Sequence, residues 1–78
     1  MKHTTSSVII DSTSLAAAAY DEHQSLLQLR FQDGGCYEYA GVSAEVFHGL
    51  VQAESKGTYF NRFIRHAFPY AKLDQNAR

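Results

Sequence analysis

The sequence predicts an α+β domain: a three-stranded antiparallel sheet followed by two helices packed on one of its faces, in the order β-β-β-α-α. Three observations carry this. Apolar residues alternate in "SLLQLRF" and "CYEYA" on either side of "QDGG", as they do in the arms of a hairpin. Beyond residue 43 the apolar spacing lengthens to three and four, the period of a helix. At 78 residues, with 45% hydrophobic and 19% charged side chains, the chain has the make-up of one small globular unit. A domain of this size buries only about 60% of the surface its unfolded chain exposes, so each large apolar side chain counts. Ordered structure is expected over residues 12–70, with 1–11 and 71–78 as flexible tails.

The first strand is read in "SLAAAAYD", from about Ser14 to Tyr20. Alanine has the highest helix propensity of any residue, yet an isolated helix this short is marginal, and small side chains let a neighbouring strand approach closely. Helix and strand are both open to the segment on local grounds. The polar run Asp21-Glu22-His23-Gln24 makes a plausible connection into a following strand. There, Leu27, Leu29 and Phe31 point one way and Gln28 and Arg30 the other, with Leu26 outside the alternation. "CYEYA" returns with Tyr37 and Tyr39 on one face and Cys36, Glu38 and Ala40 on the other.

Loop length fixes which way the tyrosines face. A two-residue turn would set them beside Gln28 and Arg30 in solvent and place Glu38 among leucines. A three-residue loop with Gly34 in the left-handed region sets Phe31 opposite Gly35, Leu29 opposite Tyr37 and Leu27 opposite Tyr39. Burying an unpaired carboxylate is expensive, so the odd loop, with both tyrosines inward, is expected.

Ser43 is placed to cap a helix, with Glu45 in its positive first turn. Val46, Phe47, Leu50 and Val51 form its apolar stripe, His48 and Gln52 lie elsewhere, and Gly49 permits a close neighbour. "ESKG" ends this helix, Gly57 being suited to a positive φ. The second helix runs from near Thr58 until Pro69 stops it, with Phe60, Phe63, Ile64 and Ala67 inward. Arg62, Arg65 and His66 lie outward, and Asn61 stands one turn before Arg65. The predicted core is Leu27, Leu29, Phe31, Tyr37, Tyr39, Phe47, Leu50, Phe60 and Ile64.

Read in order, these pieces give Ser12-x-Ser14-Leu15, Tyr20-Asp21, Leu27-x-Leu29-x-Phe31, Gly34-Gly35, Tyr37-x-Tyr39, Gly41-Val42, Ala53, Ser55-x-Gly57, Tyr59-Phe60-Asn61 and Ile64-Arg65. That string resembles the KTSC domain, over roughly residues 12–70. The resemblance implies a short module found at the C-terminus of some lysyl-tRNA synthetases and as free-standing bacterial proteins. RNA binding has been suggested for it from that attachment, an associational argument. Ser43 stands where the family often has proline after Gly-Val, a benign exchange because both residues suit a helix start. Ala16 to Ala19 is blander than usual, which leaves the first strand the least determined element.

The chemistry available is narrow. One cysteine, Cys36, excludes an intramolecular disulfide and reads as a small strand residue. His3, His23, His48 and His66 are dispersed without metal-ligand spacing, so no metal is expected. "GVSAE" has Glu45 where a nucleophile elbow needs glycine, and "DGGCYEY" lacks the Lys-Ser/Thr ending of a phosphate loop. No catalysis and no cofactor are expected. The N-terminus lacks a signal h-region, and no apolar run is long enough to span a bilayer, so a cytoplasmic protein without membrane contact is expected.

Charge is unevenly placed. Through Ser55 there are Lys2 and Arg30 against seven acidic residues; from Lys56 onward Lys56, Arg62, Arg65, Lys72 and Arg78 oppose only Asp74. Such asymmetry fits an anion-binding surface or internal charge complementarity. Lys56, Asn61, Arg62 and Arg65 could contact phosphate, and exposed edges of Tyr37, Tyr39 or Tyr59 could stack on bases. Guided by the family resemblance, the expected function is a small non-catalytic module binding RNA weakly through its basic second helix. The competing reading is a protein-interaction or self-association module using an open sheet edge, to which "SSVII" could add a strand, in this chain or in another copy.

Overall fold

A computed structural model describes residues 5–9 and 14–73. Its strands are β1 (Thr5–Ile9), β2 (Leu15–Asp21), β3 (Leu26–Phe31), β4 (Cys36–Ala40) and β5 (Tyr70–Leu73); its helices are α1 (Ala44–Gln52) and α2 (Lys56–Tyr59), the latter continued by a π-helical segment, Phe60–Ile64. The α+β class and the antiparallel sheet are as expected, but the sheet has five strands rather than three, in the spatial order β1-β2-β3-β4-β5. The two additional strands come from stretches read as tails. The described part of "SSVII" does supply an edge strand, within this chain: β1 pairs with β2, Val8 opposite Ala18, and Ile10 lies outside the described residues. β5 pairs with β4, Tyr70 opposite Tyr39. The remaining tail residues and Ser12 lie outside the described residues.

The alanine segment is a strand. Leu15 and then Ala18 and Tyr20 are buried, a change of parity that the register shift between Leu15 and Ala17 accommodates as a bulge. Asp21 closes the following turn: its carboxylate accepts the His23 and Gln24 amides (3.0 and 3.3 Å) and the Gln24 side-chain amide (2.9 Å). Those bonds favour the charged form and hold the Asp21 carboxyl below its ordinary pKa, the Gln24 side chain contributing most.

The hairpin adopts the odd loop. Gly34 has φ +96°, the Phe31 amide donates to the Gly35 carbonyl (2.8 Å), and Leu27 faces Tyr39 while Leu29 faces Tyr37. On the opposite face Gln28 donates to Glu38 (3.2 Å). Both tyrosines therefore lie on the side of the sheet that carries the helices.

Helix α1 is capped by Ser43, whose Oγ accepts the Val46 amide (3.3 Å). It docks through Phe47, stacked on Tyr20 with ring centroids 5.0 Å apart, while the Tyr20 hydroxyl donates to the buried Val42 carbonyl (2.6 Å). Ser55 caps α2, accepting the Thr58 amide (3.3 Å). Gly57 consequently lies inside α2, and its φ is not positive, contrary to expectation. Its lack of a side chain serves close approach instead: a Cβ there would come within 3.2 Å of Ser14 Oγ.

The second helix departs from its predicted inward face. The Arg65 amide bonds to the Phe60 carbonyl, five residues back (2.9 Å). This wider turn advances less per residue than an α-helix, so Phe60 and Ile64 stay buried while Phe63 swings out to 51% exposure. Ala67 is exposed as well. Regular helix stops before Pro69, whose carbonyl accepts the Ala40 amide (3.0 Å) and leads into β5. Of the predicted core, Phe31 and Tyr37 are only partly buried; Leu15, Ala18, Tyr20 and Val42 complete it.

Candidate nucleic-acid interface

The partly buried rings share a location. Where the π-helical segment leaves the sheet, the edge of α2, the β3–β4 turn and β5 enclose an open-sided groove of about 490 Å³. Phe31, Tyr37, Tyr39, Phe60 and Tyr70 supply its aromatic surface, and Asn61, Arg65, His66 and Asp33 its polar margin.

Sheet register builds the aromatic part. Tyr37 and Tyr39 are two residues apart on β4 and so point to the same face; β5 sets Tyr70 opposite Tyr39. The Tyr39 and Tyr70 ring centroids lie 5.5 Å apart at 33°, and Tyr37 and Tyr70 5.8 Å apart at 60°. Phe60 stands edge-on to Phe31 and Tyr39 behind them, at 5.3 and 5.7 Å. The gradient runs outward from Tyr39, 4% exposed, through half-buried Tyr37 to Tyr70, 60% exposed. An exposed ring next to buried ones offers a π face whose position is already fixed.

The wide turn places Arg65 on the margin of the same groove. Its Nη1 donates to Asn61 Oδ1 (3.2 Å), one turn earlier, which orients the guanidinium and leaves other donors of its fork available. Burial pushes the Tyr39 hydroxyl above its ordinary pKa of 10.0; Tyr70 and Tyr37 add to the shift and Arg65 opposes it. The sign follows from which form is favoured: folding prefers the neutral phenol. That contribution is complete below about pH 10 and is lost as pH rises through the raised folded value. Stability measured by denaturant titration from pH 9 to 12 is therefore expected to fall more steeply for the native sequence than for Tyr39→Phe. Parallel curves would show that this hydroxyl is not the group responsible.

The other anticipated site residues lie apart from the groove. Lys56 donates from its ammonium to the Ala53 carbonyl at the C-terminal end of α1 (2.7 Å). Arg62 lies over the exposed Phe63 ring, 5.9 Å from its centroid. The Tyr59 hydroxyl donates to the Val46 carbonyl (3.0 Å), and a Cβ on Gly49 would overlap it, so Gly49 is the permissive neighbour that lets Tyr59 join the two helices. Arg65, Asn61, Tyr37 and Tyr39 are thus brought together, whereas Lys56, Arg62 and Tyr59 are not. Tyr70, His66 and Asp33 were absent from the expected set. The alternation of Tyr70 and Lys72 after Pro69 is the signal that could have found the first.

Among the described residues no cluster of His, Cys, Asp and Glu could hold a metal ion, and no helix is long and apolar enough to cross a membrane.

Comparison with known proteins agrees with this architecture. The KTSC domain model matches residues 11–68. An uncharacterized protein of Stutzerimonas stutzeri is 34% identical over 68 residues, covering 86% of this chain and 96% of its own length. A lysine–tRNA ligase of Nostoc sp. is 36% identical over 63 residues, which are 81% of this chain but only 11% of the ligase. The crystal structure of a KTSC domain protein from Yersinia pestis superposes with a TM-score of 0.86 at 25% identity, covering 91% of this chain and 100% of that one. With a match that includes β2, β3, β4 and both helical segments, the chain belongs to the KTSC domain family.

Proposed function

We propose that this chain is a small non-catalytic module that binds single-stranded RNA weakly, and that the groove beside the second helix is where it does so. One observation carries the reading: an exposed, pre-positioned aromatic ring, Tyr70, and a guanidinium with unused donors, Arg65, line the same open groove. Single-stranded nucleic acid needs that pair of features, a face for the base and a cation for the phosphate. Similarity to a segment of a lysine–tRNA ligase supports RNA as the polymer. A stacked base contributes about 1–3 kcal/mol, so affinity is modest.

The test is fluorescence polarisation of a labelled oligoribonucleotide at low and moderate salt. Salt-sensitive binding is expected, weakened at least fivefold by Arg65→Ala and less by Arg62→Ala. Absence of salt-sensitive binding at high micromolar protein would remove the proposal.

A second reading draws on the sheet. Its helix-free face carries Ala17, Ala19, Cys36 and Leu73 among Gln28 and Arg30 around a trough of about 290 Å³, and among the described residues β1 and β5 form the two edges of the sheet. Self-association through them would appear as concentration-dependent sedimentation, and a strict monomer would count against it.

A further inference from the structure

Resting on the RNA-binding reading, we propose that the groove is a single-nucleotide pocket. It takes one nucleotide, with the base on the Tyr70–Tyr37 wall and the phosphate at Arg65 and His66, while the strand on either side remains outside the protein.

Charge sets the number of phosphates. Among the described residues lining the groove, Arg65 is the one lysine or arginine, with His66 next to it in sequence. Lys56 is committed to the Ala53 carbonyl and Arg62 rests over Phe63, both outside the lining. Lys72, opposite Tyr37 on β5, shares that ring's face of the sheet but is not among the residues lining the groove. Among the described lining residues a second phosphate would find no further lysine or arginine.

The polar groups of the groove fix the direction. Asp33, in the β3–β4 turn, accepts the Gly35 amide with one carboxylate oxygen (2.9 Å), next to the Tyr37 end of β4. Arg65 acts on the charge of the Tyr39 hydroxyl and lines the groove together with Asp33. Phosphate is attracted to the guanidinium and repelled from the Asp33 carboxylate, which can accept a hydroxyl or amino hydrogen bond from the sugar or base. A volume of about 490 Å³ lies within the ordinary range of small-molecule sites, about 300–1,000 Å³. A planar ring carrying an anion on one side and hydrogen-bond donors on the other is a nucleotide.

The experiment is a two-dimensional NMR titration of the full chain with adenosine 5′-monophosphate, adenosine, inorganic phosphate and a single-stranded RNA hexamer. The mononucleotide is expected to shift the amides of Tyr37, Tyr39, Arg65 and Tyr70 saturably, with adenosine and phosphate each at least tenfold weaker. Tyr70→Ala should weaken it at least tenfold. The hexamer should shift the same residues with affinity within a few-fold of the mononucleotide and a log-log salt slope near −0.7, the value for one phosphate contact. A hexamer that binds with a slope near −2, the value for three contacts, shifting Lys56 and Arg62 while the mononucleotide is silent, would overturn the single-nucleotide pocket and leave RNA binding intact. Silence from both would remove both.

Discussion

Replacing Phe60 with alanine is expected to cost about 3–5 kcal/mol, the usual range for emptying a buried phenylalanine site. The ring is 7% exposed and meets Phe31 and Tyr39 edge-on at 5.3 and 5.7 Å, so its removal loses both burial and two favourable ring geometries. Domains are typically stable by about 5–15 kcal/mol, and short ones lie toward the lower end. The variant should therefore be largely unfolded or strongly shifted in urea midpoint. Phe60→Leu should retain more than half of the lost stability. A shift below about 1 kcal/mol for the alanine variant would mean that this ring does not anchor the second helix.

The second large effect separates two neighbours. Ile64→Ala is expected to cost about 2–5 kcal/mol, because its side chain is 0% exposed, whereas Phe63→Ala should cost under about 1 kcal/mol, because that ring is 51% exposed. A continuous α-helix would put both residues on the inward stripe with Phe60 and Ala67. The five-residue hydrogen bond from Arg65 to Phe60 divides them. Equal losses in paired denaturant titrations would contradict the wide turn.

That turn also marks a limit of sequence reading here. Phe60, Phe63, Ile64 and Ala67 fit the helical period in the sequence, and no local signal distinguishes an α turn from a π turn when both bury an aromatic and an aliphatic residue. The hairpin was legible because its alternatives differed by a buried charge: Glu38 among leucines is costly enough to select the loop. The strand in "SLAAAAYD" was readable only through context, since alanine propensity favours helix and pairing with β1 and β3 overrides it. Edge strands were the faintest. β5 has four residues, three of them exposed, so its pairing leaves little apolar alternation to detect.

The candidate site inherits this unevenness. Tyr37, Tyr39, Asn61 and Arg65 were found because hairpin parity and helix spacing bring them together in one dimension. Lys56, Arg62 and Tyr59 share the basic segment in sequence but not the groove, since the wide turn and the helix–helix contacts face them elsewhere. Tyr70 was missed because its role depends on a strand returning across 29 intervening residues, 41–69, to pair with β4.

β5 is held to the sheet along one side only, so its amides should exchange with deuterated solvent well before those of β3, through local opening that leaves the rest of the domain folded. Each opening carries Tyr70 away and erases one wall of the groove. Occupancy and fraying are then opposed equilibria: a ligand that needs Tyr70 slows exchange at Tyr70–Leu73 in proportion to its saturation, and a mutation that loosens this strand weakens affinity without touching a contact residue.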